Sequence, residues 1–137
     1  MPITGEIDDD GVELMTRAVR VLIVDDQEPF RSAARLVVEL TDGFEFAGEA
    51  GTGEDGLALV QELEPDLVLM DIKMPGMDGL EATRQIQSWD DPPRVIVLST
   101  YEAGEYEQLA LEAGAIAFIS KSDFGPFELA EAWAANA

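Results

Sequence analysis

Residues 67–82 read LVLMDIKMPGMDGLEA, and this segment carries the clearest signals of the fold. Its apolar start ends at Asp71, which is typical of the carboxyl end of a buried β-strand. Residues 74–79 combine glycine and proline and therefore predict a loop, in which Asp78 caps the next helix. From Leu80 onward, apolar side chains recur at helical spacing. The stretch thus predicts a strand, a loop and a helix in direct succession.

The same alternation of strand and helix extends outward along the chain. Short apolar runs that predict four further strands lie at residues 21–24, 44–47, 95–98 and 116–119. Segments with helical spacing separate the runs, and in the fifth helix we expect Phe127, Ala130, Trp133 and Ala134 to form the buried face. Five β-α units with short connections predict an α/β fold, with helices on both faces of a parallel sheet.

Composition excludes several classes of protein. The chain has 137 residues, a formal net charge of −21, and neither cysteine nor histidine. Disulfide frameworks, thiol nucleophiles, catalytic triads with histidine and histidine-ligated zinc are therefore excluded. So acidic a surface argues against direct binding to nucleic acid or to a membrane, and we expect a cytoplasmic protein.

Acidic residues without a base, and two glycines, mark the beginning of the chain. We predict that residues 1–16 form a flexible acidic N-terminal extension and that residues 17–137 form a single domain. Whether residues 1–14 belong to the natural protein stays open.

Polar residues follow the predicted strands at the carboxyl ends. They are Asp25, Asp26, Asp71, Ser99, Thr100 and Lys121. Taken one at a time, such residues usually cap helices or face solvent. Parallel strands bring their carboxyl ends to one edge of the sheet, so the three carboxylates repel each other, by about 1–4 kcal/mol per pair at 4 Å. Hard oxygen ligands in this arrangement favour Mg²⁺, with Mn²⁺ or Ca²⁺ as substitutes in vitro.

The segments VLIVDD, VLMDIKMPGMDGLEA, VIVLST and AFISK together resemble the receiver domain of two-component response regulators. The sequence is most similar to receivers with a helix-turn-helix output of the nitrate-regulator or quorum-regulator (NarL/LuxR) type. This resemblance implies a flavodoxin-like (βα)5 three-layer sandwich whose parallel five-stranded sheet has the order 2-1-3-4-5.

The resemblance also implies a role for each site residue. Asp71 would be the phosphoacceptor. Asp26 and Asp71 would bind Mg²⁺ directly, Asp25 would act through a bound water, and the backbone carbonyl of Lys73 would be a further ligand. Lys121 would bind the phosphoryl oxygens.

Two more residues would couple the phosphate to a change in conformation. Ser99 would be the switch hydroxyl, with Thr100 as the alternative, and Phe118 would change rotamer with it. Ser99 is favoured because it is the first residue after the apolar run.

As a function, the resemblance implies a phosphorylation-activated switch that catalyses only its own phosphorylation and dephosphorylation. A histidine kinase or phosphotransfer protein would donate the phosphoryl group, because the chain has no histidine. The fourth helix, fifth strand and fifth helix would then control an output, such as transcription, or a partner. A homodimer through this face is a further hypothesis. Arg31 and Arg35 of the first helix are either a docking face or ordinary surface arginines.

Three alternatives remain at this stage. A metal-dependent phosphatase would place its nucleophile in an Asp-x-Asp motif after the first strand, whereas the acids here are adjacent. A flavin carrier would need a phosphate-binding loop where this chain has acids. A pseudo-receiver that binds partners without taking phosphate has the same fold, so only a phosphorylation test separates it.

Overall fold

A computed structural model of the protein describes residues 5–7, 13–15, 17–100 and 104–136. The strands are β1 Gly5–Ile7, β2 Glu13–Met15, β3 Val19–Val24, β4 Phe44–Ala50, β5 Leu67–Asp71, β6 Arg94–Ser99 and β7 Ala117–Ser120. The helices are α1 Glu28–Leu40, α2 Gly53–Leu63, α3 Gly79–Gln87, α4 Gly104–Ala113 and α5 Pro126–Ala135. A short 3₁₀ turn, Lys121–Asp123, follows β7.

Five strands form one parallel sheet in the order β4-β3-β5-β6-β7. Counted along the five predicted strands this order is 2-1-3-4-5, so the predicted fold is confirmed. Strands β1 and β2 pair with each other in a separate antiparallel sheet that the sequence did not indicate. The other residues of the predicted extension, which are residues 1–4, 8–12 and 16, lie outside the described residues. The flexibility of the extension stays a prediction.

Two apolar cores cover the two faces of the sheet. Leu22 and Val24 of β3 pack in the core beneath α2, α3 and α4. Val21 and Ile23 point the opposite way, into the core beneath α1 and α5. Because alternate residues of the inner strands enter different cores, both must be apolar, which explains the unbroken apolar runs.

The loop after β5 is fixed at both ends. Asp78 caps α3 as predicted, since its side chain accepts a hydrogen bond of 2.9 Å from the Glu81 amide. The Gly79 amide donates a 2.8 Å hydrogen bond to the Ile72 carbonyl. A Cβ atom at Gly79 would lie 1.7 Å from the Asp71 carbonyl oxygen, so only glycine fits. The loop is therefore held against the end of β5.

The predicted buried face of α5 is wrong. Leu129 is the fully buried residue of this helix, whereas Phe127 is 69% exposed. Ala130 and Ala134 are also exposed, and only Trp133 of the predicted set is partly buried. Nearly every residue of α5 is apolar, so its periodicity could not identify the face that packs against the sheet.

Candidate functional site

An acidic cluster lies where β3 and β5 end side by side. These strands are neighbours in the sheet, with Val24 opposite Met70. One carboxylate oxygen from each of Asp25, Asp26 and Asp71 lies within 4.8 Å of the other two. Asp25 and Asp71 are only 1% and 7% exposed, whereas Asp26 is exposed. The predicted convergence of these three acids is thus what the fold produces.

Lys121 enters the cluster from the end of β7. Its Nζ lies 2.6 Å from Asp25 Oδ2 and 3.4 Å from Asp71 Oδ1, and its side chain is 8% exposed. The ring of Phe30 lies beneath the ammonium, with 4.4 Å from Nζ to the ring centroid. One buried cation is therefore shared between two buried carboxylates, and α1 supplies an aromatic contact that sequence reasoning missed.

The ionisation of Asp71 reflects this environment. Burial, followed by repulsion from Asp25, raises the pKa of Asp71 from 3.8 to about 6, although Lys121 pulls it down. The lysine alone therefore does not compensate the burial and the crowding of the acids. A further cation near the three carboxylates would relieve the repulsion.

The donor atoms of the cluster fit a hard divalent cation. All are carboxylate oxygens, at mutual distances that one ion could bridge. Asp25 Oδ1 already accepts a 2.8 Å hydrogen bond from the Gln27 amide. Asp25 Oδ2 is buried, and among the described residues its contact is the Lys121 ammonium at 2.6 Å, which uses one of its lone pairs. The arrangement thus leaves acceptor capacity for a metal or its water ligand.

Ser99 and Phe118 lie on one face of the sheet. Phe118 is opposite Val97 in the pairing of β6 with β7, and Ser99 lies two residues beyond Val97. Since side chains alternate along a strand, Ser99 and Phe118 both face the core beneath α4. Ser99 is fully buried, whereas Thr100 follows the strand and is exposed. This placement favours Ser99 over Thr100 as the switch hydroxyl.

Lys73 lies just beyond the acidic cluster, in the loop after β5. Its exposed side chain extends toward α4, where Nζ lies 5.8 Å from the ring centroid of Tyr106. The side chain is therefore occupied elsewhere, which leaves the backbone carbonyl as the group that the resemblance assigns to the metal.

Arg31 is the residue whose setting the sequence did not reveal. The side chain is only 18% exposed, and its Nε lies 2.6 Å from Glu49 Oε1 at the end of β4. Its Nη1 donates a 2.6 Å hydrogen bond to the backbone carbonyl of Asp25. Arg31 is therefore no ordinary surface arginine. The signal available in the sequence was its position in the first turn of the helix that follows the acid pair.

Comparison with known proteins agrees with this geometry. Residues 21–133 match the family described as response regulator receiver domain. The transcriptional regulatory protein LiaR of Bacillus subtilis is 39% identical over 104 residues, which cover 76% of this chain and 49% of LiaR. The response regulator GacA of Pseudomonas aeruginosa is 38% identical over 103 residues, covering 75% of this chain and 48% of GacA.

A solved structure shows the same fold. The signal receiver domain of the response regulator NarL from Mycobacterium tuberculosis superposes with a TM-score of 0.79 at 32% identity. The match covers 88% of this chain and 96% of that one. This NarL structure confirms the predicted resemblance to NarL/LuxR receivers.

The chain spans about half the length of the curated relatives just described. Within the part that the structure describes, no helix has the length and apolar character needed to cross a membrane. The predicted cytoplasmic location stays a prediction. The family match, the identity to LiaR and GacA and the shared fold together lead to one conclusion: this chain belongs to the response regulator receiver domain family of two-component systems.

Proposed function

We propose that Asp71 accepts a phosphoryl group from a histidine kinase or phosphotransfer protein and that the resulting charge switches the domain. The observation that carries the proposal is the position of Asp71, buried between two other acids and a buried lysine. Asp25, Asp26, Asp71 and the carbonyl of Lys73 would hold Mg²⁺.

The chemistry of the transfer follows from this arrangement. A carboxylate oxygen of Asp71 forms the new bond to phosphorus while the bond from phosphorus to the donor breaks. Catalysis of such a transfer depends mainly on positioning and on stabilising charge. Mg²⁺, when bound, neutralises charge that develops on the phosphoryl oxygens. Lys121 contributes its ammonium to the same oxygens, which requires it to exchange its contact with Asp71 for a contact with the phosphate.

The phosphate then biases the region around α4, β7 and α5. Its oxygens offer Ser99 a strong acceptor, and movement of Ser99 frees space that Phe118 occupies in its inward rotamer. Both residues face the core beneath α4, and Phe118 lies in β7, so a change there acts directly on α4 and β7. The surface then controls an output or a partner, which for relatives named as transcriptional regulators is transcription. A homodimer through this surface belongs to the same proposal.

The domain turns over no external substrate and catalyses only its own phosphorylation and dephosphorylation. The alternative is a pseudo-receiver that binds partners without phosphate. The complete set of three acids, Lys121 and Ser99 supports the phosphorylated switch instead.

Intact-mass measurement after incubation with acetyl phosphate and Mg²⁺ tests the proposal. We expect one added phosphate on the wild type and none on Asp71→Asn. Asp42→Asn, in an exposed turn remote in sequence from the acids, is the matched control and should be phosphorylated normally. An unmodified wild type would favour the pseudo-receiver, and a phosphate retained by Asp71→Asn would place the acceptor elsewhere.

A further inference from the structure

One cation outside the cluster bonds directly to the backbone that carries the acid pair. Arg31, in the first turn of α1, lies between the end of β3 and the end of β4. It contacts the Asp25 carbonyl through Nη1 and the Glu49 carboxylate through Nε, each at 2.6 Å. The guanidinium therefore connects the acidic turn to the neighbouring strand.

The other restraints on this turn lie at its two ends, where the Gln27 carbonyl accepts hydrogen bonds from the Phe30 and Arg31 amides and Lys121 pairs with the Asp25 side chain. The Asp25 amide donates a 3.0 Å hydrogen bond to the Ala50 carbonyl, and the Gln27 amide bonds to Asp25 Oδ1. Asp26 lies between these bonds and is exposed, so its direction depends on the backbone on either side. The carbonyl bond from Arg31 lies immediately before Asp26 in the chain.

We infer that Arg31 is a positioning residue for the metal-binding acids, which acts by fixing the backbone from Asp25 to Gln27 rather than by its charge. The inference rests on the proposed function, because it assigns Arg31 to the same site. A planar guanidinium with several donors can bond to a carbonyl and a carboxylate at once in a fixed geometry. A lysine ammonium keeps the charge without that geometry.

A positioning role and a charge role for Arg31 predict opposite changes in the affinity for a divalent cation, and this makes the inference testable. Removal of a positive charge near three carboxylates should tighten binding of a divalent cation. Loss of the bond that fixes the acidic turn should weaken it. Arg31→Gln therefore separates the two explanations. Arg31→Lys keeps the charge, so its Mg²⁺ affinity should equal that of the wild type if charge decides and should be weaker if position decides.

Arg35 offers a matched control on the same helix. It carries the same charge one turn further on, pairs with Glu39 and lies 4.2 Å from the ring centroid of Phe46 in β4. Neither contact involves the acidic turn, so Arg35→Gln reproduces the loss of charge and of a helix-to-β4 contact only.

The first measurement needs no metal. Amide hydrogen exchange in EDTA, followed by NMR, should show faster exchange at Asp25 and Gln27 in both Arg31→Lys and Arg31→Gln, with α3 and β6 unchanged. Arg35→Gln should match the wild type. Unchanged exchange at the two amides in both Arg31 variants would overturn the inference.

The second measurement is titration calorimetry with MgCl₂. We expect both Arg31 variants to bind Mg²⁺ about fivefold to tenfold more weakly, which is what loss of one hydrogen bond would produce, and Arg35→Gln to stay within about twofold of the wild type. Tighter binding by Arg31→Gln, or wild-type binding by Arg31→Lys, would show that charge decides and would overturn the inference.

Glu49→Gln keeps the test decisive if an Arg31 variant does not fold. It removes only the second anchor of the guanidinium, so in the exchange measurement we expect a smaller acceleration at Asp25 and Gln27, and unchanged exchange would count against the inference. Only hydrogen exchange is compared for this variant, because loss of a negative charge would by itself weaken Mg²⁺ binding. Both readouts are independent of phosphoryl transfer. A wild type that takes no phosphate would therefore refute the proposed function without deciding the role of Arg31.

Discussion

Replacement of Asp71 by asparagine should stabilise the metal-free protein. Asparagine keeps the shape of the side chain and removes a charge that is buried near Asp25. The pKa of Asp71 is raised to about 6 in the folded protein, from an ordinary value of 3.8, chiefly by burial and next by Asp25. A raised pKa means that ionisation destabilises the folded state, because the unfolded chain gives up the proton more readily.

The size of the effect follows from the two pKa values. Ionised Asp71 costs the folded state about 3 kcal/mol at pH 7.5 and about half of that at pH 5. The cost is fully present above pH 6, decreases as the pH falls from 6 to 3.8, and vanishes below that range. Asparagine removes this cost, so its advantage should follow the same pH dependence.

Urea denaturation in EDTA at pH 7.5 and pH 5 measures the difference. We expect Asp71→Asn to exceed the wild type by about 3 kcal/mol at the higher pH and by about half of that at the lower one. Mg²⁺ at a hundred times its Kd should stabilise the wild type by about 2.7 kcal/mol and nearly close the gap at pH 7.5. Asp42→Asn should change little. An asparagine variant no more stable than the wild type in EDTA, or a difference in stability independent of pH, would show that ionised Asp71 does not destabilise the folded state.

Three further predictions concern the packing around the site. Leu129→Ala should lower the free energy of unfolding by about 2–5 kcal/mol, because Leu129 is fully buried, whereas Phe127→Ala should change it by less than about 0.5 kcal/mol. Gly79→Ala should cost more than about 2 kcal/mol, since the added Cβ would collide with the Asp71 carbonyl oxygen. Asp78→Ala should cost about 1 kcal/mol through loss of the α3 cap, and Asp78→Asn should restore most of it. Urea denaturation measures each of these changes.

Specific results would contradict these expectations. If Leu129→Ala and Phe127→Ala lowered the free energy of unfolding equally, Leu129 would not mark the face of α5 that packs against the sheet. A stable Gly79→Ala would mean that the loop after β5 can move away from Asp71. If Asp78→Asn were as unstable as Asp78→Ala, the contribution of Asp78 would be its charge and not its hydrogen bond.

The sequence predicted the architecture because the physical signals were local. Buried strands of a parallel sheet must be apolar on both faces, so β3, β5 and β6 appeared as short apolar runs. Asp25, Asp26 and Asp71 could be placed together because each ends such a run and parallel strands end on one edge. Asp78 could be identified as a cap from its position before the helical spacing of α3.

Other features depended on contacts between distant segments. The sequence of α5 is apolar nearly all round, so only its packing against the sheet identified Leu129 as the buried residue. Nothing in the sequence paired Arg31 with Glu49, because the pair joins α1 to the far end of β4.

The sequence predicts a parallel five-stranded α/β fold with three aspartates at one edge of the sheet, because hydrophobic periodicity and strand ends are local features of the chain. The sequence also placed Lys121 at this edge, but the atoms that Lys121 and Arg31 contact follow from the packing of the folded chain. Lys121 crosses from β7 to Asp25 and Asp71, Phe30 lies beneath it, and Arg31 holds the Asp25 carbonyl. Such contacts depend on distances and side-chain directions that exist only once the sheet and helices have packed.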